Sequence, residues 1–77
     1  MKVKLRYYGK LVDRIGKSDE ILLVDDITVR ELLSILEKKY PQLKQLSIKI
    51  AQNNRITNID ETITSSKIDV FPPFSGG

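Results

Sequence analysis

One segment of this chain, residues 28–40, has the apolar spacing of an amphipathic helix, and it limits the folds available to the rest. Thr28 can cap the first turn, and Glu31 three residues later can complete a capping box. Pro41 ends the helix because proline disfavours helical geometry at the residue before it. The apolar stripe consists of Val29, Leu32, Leu33 and Leu36. A single stripe of this kind can cover one face of one sheet.

The segments on both sides of this helix alternate between apolar and polar residues, as half-buried strands do. We predict a strand at 2–8, a turn or single helical turn at 11–15 after Gly9, and a second strand at 20–24. Beyond the helix we predict a strand around Ile48 and Ile50, a hairpin turn at Asn53-Asn54, a short return through Ile56 and a last strand at 67–71. The residues predicted to face the helix are Val3, Leu5, Tyr7, Ile48, Ile50, Ile68 and Val70, with Phe71 left on the outer face.

This order of elements predicts an α+β fold of the β-grasp (ubiquitin-like) type. It has a mixed sheet of four to five strands, one main helix packed on one face, and the last strand parallel to the first in the middle. A chain of 77 residues makes one domain with one core and little room for a deep cleft. We expect a β-grasp domain at 1–71 and an extended, flexible tail at 72–77.

The residue types that the chain lacks limit the kinds of catalytic and metal site it could form. The chain has no Cys, His or Trp, which removes thiol nucleophiles, imidazole bases and the usual transition-metal ligands. We therefore expect no metal site, no bound cofactor and no catalytic side chains.

The charge and hydropathy patterns exclude two further classes of protein. The net charge of +3 is only weakly positive. Tyr7 and Tyr8 beside Lys4 and Arg6 are too few basic and aromatic residues for a typical nucleic-acid-binding surface, so we expect no nucleic acid. No apolar run approaches the roughly 20 residues of a membrane span, and the first ten residues lack the apolar core of a secretory signal. We expect a soluble, cytoplasmic protein without a membrane partner.

The tail carries the most specific information. Pro72 and Pro73 lack backbone donors and hold φ near −65°, so they end the last strand and continue as a stiff extended segment. Residues 72–77 could span about 20 Å, ending in Ser75-Gly76-Gly77.

Two terminal glycines have a chemical use because they lack a Cβ and can enter a narrow channel. A terminal carboxylate has a pKa of about 3.5, so it is ionised at neutral pH and another enzyme must activate it, for instance by adenylation. In an arbitrary protein, Gly-Gly at the end of a chain is more often a frayed terminus. The combination with a β-grasp pattern and a Phe-Pro-Pro exit favours the chemical use.

The ending Phe71-Pro72-Pro73-Phe74-Ser75-Gly76-Gly77 resembles the Phe-Pro-Pro-Val-Ser-Gly-Gly ending typical of molybdopterin synthase small subunits, the MoaD-type sulfur carriers of the MoaD/ThiS superfamily. The resemblance covers the whole chain and includes the segment from Gly9 to Gly16 and the helix start at 28–33 followed by Tyr40-Pro41. The chain departs from the family pattern at Asn54, at Ser65-Ser66-Lys67 and at Phe74, where Gly, an Asp-Gly-Asp turn and Val are commoner.

The resemblance implies a sulfur carrier in molybdenum cofactor biosynthesis. An E1-like adenylating enzyme would use ATP to adenylate Gly77, and a sulfur donor enzyme would convert the adenylate to a thiocarboxylate. The tail would then enter the large subunit of molybdopterin synthase and donate sulfur to a pterin precursor. The resemblance also implies roles for the residues of the tail. Gly77 would bear the sulfur, and Gly76 would be its channel-fitting neighbour. The docking arm would consist of Phe71, Pro72, Pro73, Phe74 and Ser75.

Several alternatives remain open at the level of sequence. Phe71 and Phe74 could contact a partner or could fold back onto the sheet edge. The whole chain could be a sulfur carrier for thiamine or cysteine biosynthesis, a ubiquitin-like modifier conjugated to lysines, or a binding module whose terminus has no role. Arg6, Arg14 and Arg55 could steer acidic partners, although most surface charges serve only solubility.

Overall fold

The computed structural model describes residues 1–73, and its elements follow the predicted order. The five strands and two α-helices, with a 3₁₀ helix at Pro41–Gln45, are β1 (Lys2–Tyr7), α1 (Lys10–Ile15), β2 (Asp19–Leu23), α2 (Val29–Lys39), β3 (Lys49–Gln52), β4 (Arg55–Ile56) and β5 (Lys67–Phe71). None of the helices within the described part of the chain is long and apolar enough to cross a membrane.

The strands form one mixed sheet in the order β2-β1-β5-β3-β4. β1 and β5 pair in parallel at the centre, and the other neighbours are antiparallel. In register, Leu5 lies beside Ile68 and Tyr7 beside Val70. The prediction of a β-grasp sheet of four to five strands, with its first and last strands adjacent and parallel, is confirmed, and the described sheet has five strands.

Helix α2 begins at the predicted capping box. The Thr28 hydroxyl accepts a hydrogen bond from the Glu31 backbone N–H at 3.2 Å, and the Glu31 carboxylate accepts one from the Thr28 backbone N–H at 2.9 Å. These bonds satisfy two backbone donors that would otherwise lack partners in the first turn. The helix ends at Lys39, and Tyr40 is its C-cap residue immediately before Pro41, where the sequence predicted the end.

The core lies between the inner face of the sheet and α2. Leu33 is only partly buried at its edge, while the other members of the helical stripe are buried. Each fully buried Leu, Ile or Val contributes about 1.5–3 kcal/mol relative to an exposed position. The largest fully buried side chains are Val3, Leu5, Leu11, Val29, Leu32, Leu36, Leu43, Ile68 and Val70.

Most differences from the sequence prediction concern element boundaries. β1 stops at Tyr7 rather than Tyr8, and β2 begins and ends one residue earlier than predicted. The segment after Pro41 is a 3₁₀ helix rather than an irregular loop, because Leu43 is fully buried and pulls this segment against the core. The predicted turn at Asn53-Asn54 is present, with φ of 54° and 61°.

Candidate functional site

The site begins where the last strand leaves the centre of the sheet. The backbone N–H of Tyr8 donates to the Val70 carbonyl at 3.1 Å, which extends the pairing of β1 and β5 one residue beyond the end of β1. β5 then ends at Phe71. Since β5 lies between β1 and β3, the chain leaves the sheet at its middle rather than at an edge.

Two aromatic rings mark this exit on the outer face of the sheet, the face opposite α2. The rings of Tyr8 and Phe71 stack with centroids 4.7 Å apart and an angle of 16° between their planes. The Tyr8 hydroxyl donates a hydrogen bond to the Asp69 carboxylate at 2.9 Å. Offset stacking of this kind contributes about 0.5–1.5 kcal/mol beyond burial, so the stack helps to hold the end of β5 in place.

A glycine supports the chain immediately after this stack. Gly9 has a φ of +57° and ψ of −134°, a conformation that residues with a Cβ rarely adopt. A Cβ built on Gly9 would lie 3.3 Å from Cγ of Pro72, so the half-buried Pro72 ring packs closely over the glycine backbone. Pro73 is exposed. Tyr8, Gly9, Phe71 and Pro72 together form what we call the exit platform.

The described part of the predicted site is thus Phe71, Pro72 and Pro73, which lie together at the end of β5. Phe74, Ser75, Gly76 and Gly77, including the predicted sulfur-bearing residue, lie outside the described residues. Phe71 lies on the outer face, as its alternation with Val70 predicted, and its stack with Tyr8 is a contact that sequence reasoning did not anticipate.

Arg55, Gln52 and Glu61 form a charged cluster near the β3–β4 hairpin. Glu61 accepts hydrogen bonds from Arg55 at 2.9 and 2.5 Å and from Gln52 at 3.0 Å. The bonds from Arg55, followed by that from Gln52, lower the pKa of Glu61 to about 2. Arg55, considered above as a steering charge, is therefore paired within the domain.

A second polar cluster, centred on Glu20, was missed by sequence reasoning. Its carboxylate accepts hydrogen bonds from the Tyr7 hydroxyl, from the Tyr40 hydroxyl at 2.7 Å and from the Lys39 ammonium at 2.7 Å. Burial raises the pKa of Glu20, but these three bonds outweigh it and the pKa is below its usual value. Burial and the bond to Glu20 raise the pKa of Tyr40 to about 12.

The Glu20 cluster ties β1, β2 and the end of α2 together, and it lies on the inner side of the sheet. One sequence feature could have predicted this cluster. The alternation of β1 points Tyr7 inward, and a buried tyrosine hydroxyl needs a hydrogen-bond partner. We therefore assign the Glu20 cluster a structural rather than a chemical task.

Among residues 1–73 there is no group of three or more acidic side chains that could hold a metal ion.

The chain matches the model of the ThiS family over residues 5–77, which is nearly its whole length and includes the tail. It belongs to the ThiS family.

Solved structures agree with membership of the ThiS family. A protein from Pyrococcus furiosus provisionally named molybdopterin converting factor, subunit 1, is 26% identical, with a TM-score of 0.84 over 96% of this chain and 99% of that one. Subunit 1 and 2 of the molybdopterin-converting factor from Helicobacter pylori form a complex, one chain of which is 26% identical, with a TM-score of 0.66 and full coverage of both chains.

Another similar structure belongs to a different functional class. Small archaeal modifier protein 1 from Methanosarcina acetivorans is 25% identical, with a TM-score of 0.73 over 99% of this chain and 96% of that one. The ThiS-family chain described here therefore has the β-grasp fold shared by ThiS/MoaD-type sulfur carriers and ubiquitin-like modifiers.

Proposed function

We propose that this protein is the sulfur carrier subunit of a molybdopterin synthase and that its C-terminal Gly77 carries the sulfur. The observation that supports the proposal most is the exit platform. The central strand of the sheet ends at Phe71, and the Pro72 ring packs over Gly9, so the following residues start from a defined point and direction. The Phe-Pro-Pro-Phe-Ser-Gly-Gly ending that continues from this point is the part of the sequence most similar to that family.

The chemistry requires only the main-chain carboxylate of Gly77 as the terminal group of the mature protein. Attack of that carboxylate on the α-phosphorus of ATP forms an acyl adenylate and releases pyrophosphate. Hydrosulfide released by the donor enzyme then attacks the acyl carbon and displaces AMP, which yields the thiocarboxylate. Transfer of the sulfur to the pterin precursor, with water supplying the replacing oxygen, returns the carboxylate.

The partners that this scheme needs are an E1-like adenylating enzyme, a sulfur donor enzyme and the large synthase subunit. The complex of subunits 1 and 2 in the Helicobacter pylori neighbour supports a large-subunit partner. In this scheme the chain is carrier and co-substrate, and ATP is bound by the activating enzyme rather than by the carrier.

Intact mass spectrometry tests the first half of the proposal. Incubation with ATP, the cognate adenylating enzyme and a sulfur source should raise the mass by the difference between one sulfur and one oxygen atom. A variant that lacks Gly76 and Gly77 is the control and should show no change. An unaltered mass of the full chain under conditions that load a known carrier would contradict the proposal.

Addition of the purified large subunit and the pterin precursor tests the second half. The loaded carrier should then return to its original mass while molybdopterin forms. Loading without molybdopterin formation would instead favour a carrier for thiamine or cysteine biosynthesis.

A ubiquitin-like modifier is the second candidate, because the Methanosarcina acetivorans modifier has the same fold at similar identity. Conjugation would produce a ladder of covalent adducts to lysine residues in cell extracts. That ladder should disappear when Gly76 and Gly77 are deleted, and its presence in the wild type would favour this candidate.

Phe74 gives a specific prediction for the docking arm. Truncation of a buried aromatic anchor costs about 2 kcal/mol or more at many interfaces, so Phe74→Ala should weaken binding to the large subunit by at least about tenfold. Isothermal titration of wild type and variant measures this, with the exposed Ser34→Ala as a control on the far side of the domain. Equal affinities would place Phe74 outside the interface.

A further inference from the structure

The outer face of the sheet carries a row of cations at its centre. The alternation of β1 places Lys2, Lys4 and Arg6 on this face, and the parallel register places Lys67 of β5 directly beside Lys4. All four side chains are exposed. We call these four residues the basic strip.

The basic strip is not neutralised within the described part of the chain. No carboxylate lies within 4.0 Å of any of its four charged groups among residues 1–73, where the ion pairs involve other cations. Asp19 and Asp69 are in register with Arg6, but neither forms an ion pair with it, and Asp69 is engaged by the Tyr8 hydroxyl.

The pairing of Lys4 and Lys67 at neighbouring positions of β1 and β5 has an energetic consequence. Like charges directly opposite each other on neighbouring strands destabilise a sheet. The fold therefore carries this cost at its two central strands. An external anionic group placed between the two lysines would relieve it.

The surroundings of the basic strip are suited to a protein partner. Ile21 and Leu23 of β2 lie in register with Lys4 and Lys2 and are 61% and 78% exposed. On the other side lies a shallow depression of about 480 Å³. Its polar lining outside the strip is Tyr8, Asn53, Asn54, Ser65 and Asp69, and Lys4, Arg6 and Lys67 line it from the strip. The strip thus has an aliphatic border on one side. On the other side it has a polar border whose one carboxylate among the described lining residues, Asp69, accepts a hydrogen bond from the Tyr8 hydroxyl.

We propose that the basic strip is a docking surface for an acidic patch of a folded partner protein, with Asp or Glu carboxylates between Lys4 and Lys67 and aliphatic side chains against Ile21 and Leu23. A nucleic acid fits less well, because Tyr8 and Phe71, the aromatic rings described on this face, stack on each other rather than standing open for bases. The exposed aliphatic border also matches the mixed composition of protein interfaces.

The position of the strip connects it to the proposed function, on which this choice of partner rests. Lys67 and Phe71 are the first and last residues of β5, about 13 Å apart at the usual rise per residue. A protein that receives the residues following Phe71 would therefore lie against the same face. The charges would act chiefly on the rate of association, since complementary fields steer encounter.

A peptide titration tests the strip without any sulfur chemistry. The probes are a short peptide of Asp, Glu and Leu residues and a single-stranded DNA of equal charge, and binding is followed by ¹⁵N–¹H NMR at about 0.1 M salt. The peptide should shift the amides of β1 and β5 around Lys4 and Lys67. The double variant Lys4→Gln/Lys67→Gln should weaken peptide binding about tenfold.

The matched control is Lys38→Gln/Lys44→Gln, which removes the same charge from exposed lysines on α2 and the 3₁₀ helix. It should change peptide affinity less than about twofold, because the screening length near 0.1 M salt is about 10 Å. Shifts spread over all lysines, equal effects of the two double variants, absence of binding, or tighter binding of DNA than of peptide would each overturn the proposal.

Association kinetics with the cognate large subunit provide the second measurement. In low salt the Lys4→Gln/Lys67→Gln variant should associate about tenfold more slowly than wild type, and the difference should disappear near 0.5 M salt. Equal association rates of Lys4→Gln/Lys67→Gln and of the control Lys38→Gln/Lys44→Gln in low salt would overturn the strip as a docking surface. If the large subunit does not bind the wild type at all, the proposed function fails, and the peptide titration still decides the strip.

Discussion

At the scale of single residues, Gln52 shows how much one buried polar side chain can organise. It is 2% exposed, and its amide group is fully engaged by the segment before β5. Its oxygen accepts from the backbone N–H groups of Thr64 and Ser65 at 3.0 and 3.2 Å, and its nitrogen donates to the Thr62 carbonyl at 2.9 Å. Gln52 thereby positions the chain that leads into the last strand.

Replacement of Gln52 by leucine should therefore destabilise the domain. The Thr62 carbonyl and the Thr64 and Ser65 N–H groups would lose their bonds to Gln52, at a cost of about 2 kcal/mol in the free energy of unfolding. Urea denaturation measures this cost. Gln45→Leu, at an exposed position of the 3₁₀ helix, should change the free energy of unfolding by less than about 0.5 kcal/mol. Equal costs for the two variants would contradict the assigned contacts.

Glu61 gives a prediction for acid stability. Its pKa is about 2 in the folded protein against 4.5 for an unperturbed carboxyl, so the folded state holds the carboxylate more strongly than the unfolded state. The resulting stabilisation is present above about pH 4.5 and is lost as the pH falls towards 2. Glu61→Gln should therefore reduce the loss of unfolding free energy across this range.

Denaturation at a series of pH values between 2 and 7 tests this difference, with Glu37→Gln on α2 as the control. Glu37 makes no ion pair among the described residues, so its variant should retain the acid dependence of wild type. A Glu61→Gln curve parallel to that of wild type would show that the Arg55 bonds add nothing to stability in solution.

At the scale of elements, the exit of β5 depends on the turn that follows β1. The Pro72 ring packs over Gly9, so a side chain at Gly9 would disturb both the turn and the exit. Gly9→Ala should cost about 2–3 kcal/mol, from the strained backbone and the contact with Pro72 together. Gly16→Ala, where φ is +89° and nothing lies within 4 Å of the added Cβ, should cost about 1 kcal/mol.

A double-mutant cycle separates the two causes at Gly9. Pro72→Ala removes the Cγ that the new methyl group would meet, so Gly9→Ala should cost less in that background. Thermal or urea denaturation of the four proteins gives the coupling energy. Strict additivity would mean that Pro72 does not rest on Gly9 in solution.

At the scale of the whole molecule, the proposed work is done by the chain terminus, and the domain provides its anchor. An extra alanine after Gly77 would turn the Gly77 carboxylate into an amide, which is not adenylated. The new terminal carboxylate would lie one residue further along and beside a Cβ, which a channel fitted to glycine would exclude. The extended protein should therefore show no sulfur loading by intact mass, while an extra glycine before Met1 should leave loading unchanged. Loading of the C-terminally extended form without prior processing would rule out Gly77 as the sulfur-bearing residue.

The sequence by itself determined the elements and the faces they present. The spacing of Leu32 and Leu36 and the alternation of Val3 and Leu5 are local patterns, and the periods of the helix and the strand translate them directly into buried faces. The capping box and the end of β5 at Phe71 were likewise predictable, because they depend on residues a few positions apart. The family resemblance of the tail also rested on adjacent residues.

Only the tertiary structure decided which distant residues meet. Tyr8 and Phe71 are 63 positions apart in the chain and stack because β1 and β5 are parallel neighbours in this register. The same register sets Lys4 beside Lys67, and the fold brings Gly9 under Pro72. The order of the elements predicted that β1 and β5 are neighbours, but these contacts also depend on a register that must be correct to one residue, and a local period does not encode that register.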